Sequence, residues 1–144
     1  MIRSMKAVQT LFFLLSFVII QAGYAKNMTT KEIISILRPL EAKAIQYGDG
    51  DIKVYVFVDP KCPHSRDFIS MIHDSQKMRV IYRYYIFFYE LKRFHSHKLI
   101  GTIYASPSPL QKTLEVMVGG KEMDTSPSLS PQIEEKISDI ERMA

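Results

Sequence analysis

The sequence lacks a second cysteine, since Cys62 is the only one among its 144 residues. An internal disulfide is therefore excluded, and so is net oxidation or reduction of a substrate through a pair of thiols within the chain. The sequence also lacks a strong charge of one sign. Its formal net charge is +4, and two of the positive charges, Arg3 and Lys6, lie in a segment that we expect to be removed. This balance gives no support for a nucleic-acid partner.

The apolar run near the amino terminus is shorter than a membrane span. Residues 7–20 are uncharged, follow the two basic residues and precede a Gly-Tyr-Ala sequence. This order is typical of a cleavable secretory signal, whereas a membrane anchor, the alternative, needs about 20 apolar residues. We expect residues 1–25 to be a signal peptide, with membrane contact only before its cleavage. With 47% apolar and 24% charged residues in the whole chain, residues 26–144 fit one small globular domain.

A short apolar run leads directly to the cysteine. Residues 54–58 read Val-Tyr-Val-Phe-Val between Asp-Gly-Asp and Asp-Pro, which is typical of a buried strand. Pro63 has no N–H and its φ is close to helical, so it predicts a helix start with Cys62 at or beside the N-cap. Free N–H groups and the helix dipole would favour the thiolate there, and His64 could add positive charge. The sequence therefore predicts an accessible, nucleophilic Cys62 with His64 as its modulator.

The segment after the cysteine predicts a second strand parallel to the first. Phe68, Ile69 and Ile72 share one face of the expected helix, and residues 79–90 are the most β-prone part of the chain. Strand, helix and strand in this order imply a parallel pair joined by a right-handed crossover. We further predict helices from Thr29 or Thr30 to about residue 45 with an interruption at Pro39, at residues 99–104 and 110–118, and from Pro131 onward.

The motif carries a family resemblance. A strand, Asp-Pro and then Cys-Pro-His-Ser at a helix start resemble the active site of thioredoxin-fold proteins. From about Lys53 to its end the chain is similar to periplasmic disulfide isomerases of the DsbC and DsbG type. The resemblance implies an α/β, thioredoxin-like fold with a helical insertion, partners that are thiol- or disulfide-containing proteins, and no cofactor. Together with the export signal, it also implies a bacterial periplasm.

The sequence departs from this family in two places. Ser65 stands where the family has its second cysteine, the residue that resolves a mixed disulfide. The Ser65 hydroxyl could hydrogen-bond the sulfur of Cys62 or simply fill the space. The chain also stops after the helix that begins at Pro131, before the cis-proline loop and final strands of the family. We therefore expect a partial domain with an incomplete sheet, as in a carboxy-terminally truncated chain.

An incomplete sheet has consequences for stability. Two strands rarely form a stable sheet by themselves, and the strand at residues 79–90 would keep an open apolar edge. We expect marginal stability and self-association unless the helices after Leu99 or another chain cover that edge.

A basic stretch at residues 91–98 contains His95 and His97. Two histidines without an accompanying cysteine or carboxylate cluster are a weak set of metal ligands. We expect a solvated loop here and no metal site.

Two functional hypotheses remain open. In the first, the protein is a thiol-disulfide exchange protein of isomerase or monothiol type, and a substrate thiol or a small thiol such as glutathione resolves the mixed disulfide that Cys62 forms. In the second, it is a non-catalytic thioredoxin-like binding protein or an inactive truncated fragment, and Cys62 is incidental or forms a stable mixed disulfide. The reactivity of the thiol separates the two hypotheses.

Overall fold

The computed structural model of the chain describes residues 28–144. The expected signal peptide lies outside the described residues. By their internal contacts, residues 35–144 form one compact unit, which does not include residues 28–34. Within the described part, no helix is long and apolar enough to cross a membrane.

Helix α1 spans Thr30–Leu37 and begins as the sequence predicts. The N–H of Glu32 donates to the Thr29 hydroxyl at 3.3 Å, and the N–H of Thr29 donates to the Glu32 carboxylate at 2.8 Å. This reciprocal pair is a capping box, which satisfies two backbone donors at the helix start.

The remaining elements follow in chain order. They are a 3-10 helix (Arg38–Lys43), β1 (Ile45–Tyr47), β2 (Ile52–Val58), α2 (Pro63–Asp74), α3 (Gln76–Ile81), β3 (Tyr82–Phe88), a second 3-10 helix (Lys92–Phe94), α4 (His97–Tyr104), α5 (Pro109–Met117) and α6 (Pro131–Glu141).

The fold is mixed α/β with an open, three-stranded sheet in the order β1-β3-β2. Strands β2 and β3 are parallel, from Ile52 opposite Tyr82 to Val58 opposite Phe88, so the predicted parallel pair is confirmed. Strand β1 pairs antiparallel with the other side of β3. The expectation that β3 keeps an open edge is therefore wrong. Among the described strands, β2 and β1 form the edges of the sheet.

The predicted interruption of the first helix at Pro39 is confirmed. Helix α1 ends at Leu37 and gives way to a 3-10 helix, because Pro39 has no N–H to continue the α-helical hydrogen bonds. Another prediction about element bounds is wrong for a local reason. Residues 79–81 belong to helix α3 rather than to the strand. The Ser75 hydroxyl accepts the Met78 N–H at 3.3 Å and caps this short helix, so local capping overrides the β propensity of the following residues.

Strand β3 lies at the centre of the core. Its last five residues, 84–88, are all buried, which requires cover on both faces of the sheet because side chains alternate between faces. The helices supply that cover with fully buried isoleucines, which are Ile69 and Ile72 of α2, Ile100 and Ile103 of α4, and Ile137 and Ile140 of α6. Burial of each such side chain stabilises the fold by about 1.5–3 kcal/mol relative to exposure.

The exposed apolar side chains of the edge strand β2 predict that the chain self-associates. Ile52 is 54% exposed and Phe57 is 36% exposed along this strand, and an unpaired strand edge is a template for pairing with another chain. We expect the chain without residues 1–25 to associate as its concentration rises. We expect Ile52→Lys to reduce that association, because a lysine at a strand edge opposes edge-to-edge pairing.

Sedimentation velocity over a concentration series measures this effect. Val80→Lys is the matched control, since Val80 is 66% exposed but lies on α3 and not at the sheet edge. An unaltered chain that stays monomeric, or equal effects of the two substitutions, would contradict pairing through β2.

Candidate functional site

Cys62 is the N-cap residue of α2 and lies just beyond the carboxyl end of β2. Its backbone is extended (φ −74°, ψ 123°), and Pro63 occupies the first turn of the helix. The Arg66 N–H donates to the Cys62 carbonyl at 3.0 Å, and the Cys62 N–H donates to the Asp59 carbonyl at 3.1 Å. The predicted helix start at Pro63, with Cys62 at the N-cap, is confirmed.

The start of α2 lowers the pKa of the Cys62 thiol. The largest cause is hydrogen bonding from the Ser65 backbone N–H, which burial of the sulfur opposes. The Ser65 hydroxyl, the His64 N–H and the positive charge of Arg93 lower the pKa further. Each of these groups stabilises the thiolate more than the thiol. His64 thus acts on the sulfur through its backbone, and Ser65 through both its backbone and its hydroxyl.

Cys62 is less accessible than the sequence predicts, since only 6% of the residue is exposed. Asp59 and Pro60 in the turn before it are buried as well, whereas Lys61 is exposed. The loop after β3 is bonded to this turn. The Lys61 ammonium donates to the His95 carbonyl at 3.0 Å, and the Asp59 carboxylate binds two further groups of the same loop. A substrate sulfur therefore has a narrow approach to Cys62.

Asp59 organises this turn, although the sequence analysis treats it only as the end of a strand. It is 1% exposed. One carboxylate oxygen accepts the Lys61 N–H at 2.8 Å, and the other accepts the Leu91 N–H and the Ser96 hydroxyl, each at 2.7 Å. An aspartate that follows a buried strand and precedes a proline is a recognisable turn signal. Ser96 has no such signal, because its partner is distant in sequence.

Ser65 is also tied to this turn. Its hydroxyl oxygen accepts the Asp59 backbone N–H at 3.3 Å. Since the same hydroxyl lowers the pKa of Cys62, Ser65 does more than fill the space of a missing thiol. It connects the end of β2 to the start of α2.

A cavity of about 360 Å³ opens beside the turn. Its polar lining includes Lys61, Arg66, Lys121 and Glu122, and its apolar lining includes Leu99, Val116 and Met123. The Arg66 guanidinium donates to the Pro60 carbonyl at 2.8 Å and to the Val116 carbonyl at 3.1 Å. The cavity therefore lies between the start of α2 and the end of α5.

The structure separates the two histidines of the basic stretch. His95 is exposed with a positive φ of 47°, whereas the His97 ring nitrogen Nε2 lies 2.9 Å from a Glu134 oxygen. The ligand atoms of Glu90, His97 and Glu141 lie within 4.8 Å of one another. The expectation that no carboxylate cluster accompanies the histidines is therefore wrong: Glu90 lies just before the basic stretch, and α6 brings Glu134 and Glu141 from a distant segment. These groups connect α4 to α6, and the Glu90 carboxylate also accepts the His97 N–H at 2.9 Å.

Neither a protein-family model nor a curated protein matches the chain. The resemblance to disulfide isomerases therefore stays an expectation from the sequence.

We expect Asp59→Ala to destabilise the fold by about 3 kcal/mol, because it leaves buried donors without an acceptor. Urea unfolding at neutral pH measures the change in the free energy of unfolding. Asp124→Ala is the control, since Asp124 is exposed and accepts hydrogen bonds from nearby Ser126. A loss for Asp59→Ala no larger than that for the control would show that Asp59 does not hold the turn.

Proposed function

We propose that this protein is a thiol-disulfide exchange protein of isomerase or monothiol type, with Cys62 as its nucleophile. The observation that carries the proposal is the position of Cys62 at the N-cap of α2, where the Ser65 N–H lowers the pKa of the thiol. A lowered pKa raises the thiolate fraction near neutral pH, and the thiolate is the form that attacks a disulfide. Ser65 and His64 are the residues that support this thiolate.

The arrangement of strands supports a thioredoxin-like fold for the domain. Parallel strands β2 and β3 are joined through α2 and α3, and the cysteine follows the carboxyl end of β2. Sites in open sheets with parallel strands commonly lie at that end of the strands. Helices α4 and α5 correspond to the helical insertion of the proposed family, and three strands fit an incomplete sheet.

The chemistry needs no cofactor. The Cys62 thiolate attacks one sulfur of a substrate disulfide, a bond forms between the two sulfurs, and the other substrate sulfur leaves as a thiolate. A second substrate thiol or a small thiol then attacks the mixed disulfide and releases Cys62. No electrons are gained or lost overall, so the cycle rearranges disulfides without oxidising or reducing them. Its partners are thiol- or disulfide-containing proteins, and its proposed location is the bacterial periplasm, reached through the signal at residues 1–25.

The burial of Cys62 favours a second candidate function. A residue that is only 6% exposed suits a thioredoxin-like binding protein in which the cysteine is a small buried side chain. In this case the protein would hold a partner without exchanging disulfides with it.

Ser65→Cys separates these candidates. The introduced thiol would lie about one helical turn from Cys62 and could attack a mixed disulfide there. We expect the unaltered protein to accumulate a mixed disulfide with a model disulfide substrate, and Ser65→Cys to release the substrate instead. Mass spectrometry after acid quenching measures the amounts of the mixed disulfide and of the released substrate over time.

Ser70→Cys is the matched control, because Ser70 lies on the same helix α2 but further from Cys62. It should accumulate the mixed disulfide as the unaltered protein does. Absence of any mixed disulfide in the unaltered protein and in both variants would favour the non-catalytic candidate.

A further inference from the structure

The cavity near the turn is lined by residues that come before and after Cys62 in the sequence, although Cys62 itself is not part of the lining. Lys61, which precedes the cysteine, and Arg66, four residues after it, both line the cavity. Lys121 lines the cavity as well, and Glu122 is the only acidic residue in the lining. A partner bound at Cys62 therefore has a predominantly basic cavity close by, whose lining also includes apolar residues.

Arg66 is held rigidly but carries an uncompensated charge. Its guanidinium is half-buried and bonded to two main-chain carbonyls, those of Pro60 and Val116. These carbonyls fix its position without neutralising it. Within residues 28–144 no carboxylate forms an ion pair with Arg66. A guanidinium has five N–H donors, so others stay available, and a carboxylate is the ligand whose planar shape they match.

The other basic groups add to this field. Lys61 is bonded to a main-chain carbonyl, that of His95, so its charge is also uncompensated. Lys121 lies 3.3 Å from the Glu115 carboxylate, which it shares with Lys112. Arg93, outside the cavity lining, already acts on the sulfur and lowers the pKa of Cys62. The approach to the thiol is thus positively charged from more than one direction.

We propose that this cavity binds a carboxylate on the partner polypeptide close to the disulfide that Cys62 attacks. The site therefore selects disulfides in acidic peptide segments, with Arg66 as the specificity-determining residue. This inference rests on the proposed exchange function. The apolar lining by Leu99, Val116 and Met123 accommodates the carbon chain of a glutamate while its carboxylate meets Arg66.

Two peptides that differ only in charge test the selectivity. Each contains one cysteine activated as a 2-pyridyl disulfide, flanked by glutamates in one peptide and by glutamines in the other. Attack by the Cys62 thiolate on the peptide sulfur forms the Cys62–peptide disulfide and releases pyridine-2-thione, whose absorbance gives the rate. Mass spectrometry confirms the adduct. The ratio of the two rate constants is compared with the same ratio for a short reference peptide thiol.

We expect the glutamate peptide to react faster by about fivefold, relative to the reference ratio, at low ionic strength. Added salt should reduce this preference. Arg66→Gln should remove most of it, whereas Lys77→Gln should leave it unchanged, since Lys77 is exposed on α3 and outside the cavity lining.

Arg66 also hydrogen-bonds to the turn, so Arg66→Gln changes the support of the turn as well as the charge of the cavity. A second variant separates these two effects. Lys121 is exposed, and Lys121→Gln should lower the preference for the glutamate peptide in a protein whose circular dichroism is unchanged. An unchanged preference in this variant would overturn the role of the cavity.

Failure of the inference and failure of the proposed function give different results. Reaction with both peptides at the reference ratio overturns the selectivity and leaves thiol exchange standing. Absence of an adduct with either peptide in the folded protein, when the unfolded chain reacts with both, overturns the selectivity and the exchange function together.

Discussion

The buried carboxylate of Asp59 connects three parts of the chain that meet at Cys62. It receives the N–H of Lys61 in the turn, the N–H of Leu91 after β3, and the hydroxyl of Ser96 before α4. A buried carboxylate without partners would be strongly unfavourable, so these three donors and the carboxylate depend on one another. The turn can therefore hold Cys62 at the start of α2 only while the loop after β3 is in place.

This constraint has opposing effects on the pKa of the Cys62 thiol. Burial of Cys62 raises the pKa of its thiol, while the N–H of Ser65 at the helix start lowers it by more. The same enclosure limits the approach of a partner sulfur. The reactivity of Cys62 therefore depends on whether a substrate disulfide can reach its sulfur past Lys61 and Arg66.

Local signals in the sequence were sufficient to predict the central part of the fold. Pro63 specifies the start of α2, and two apolar runs around that helix specify the parallel pair β2 and β3. Strand β1 was missed because three residues after a 3-10 helix carry almost no periodicity. The prediction of which strand lies at the edge of the sheet was consequently wrong.

The surroundings of the site could be predicted only in part. Its core lies within residues 62–65: Cys62 and His64 could be predicted from the helix start at Pro63, whereas Ser65 was singled out through the resemblance to disulfide isomerases. The partners of Asp59 and His97 come from segments far along the chain, and Ser96 and Glu134 show no local pattern that would pair them with those residues. Long-range contacts of this kind depend on the packing of α4 and α6, which periodicity alone does not specify.

The pH dependence of alkylation of Cys62 tests the central claim most directly. Because the chain contains no other cysteine, the rate of reaction with iodoacetamide reports on this thiol alone. The account predicts that the rate rises with a midpoint below the unperturbed value of about 8.5, and that the midpoint moves up to that value when the protein is unfolded. A midpoint in the folded protein at or above that of the unfolded chain would contradict the claim that the start of α2 stabilises a reactive thiolate.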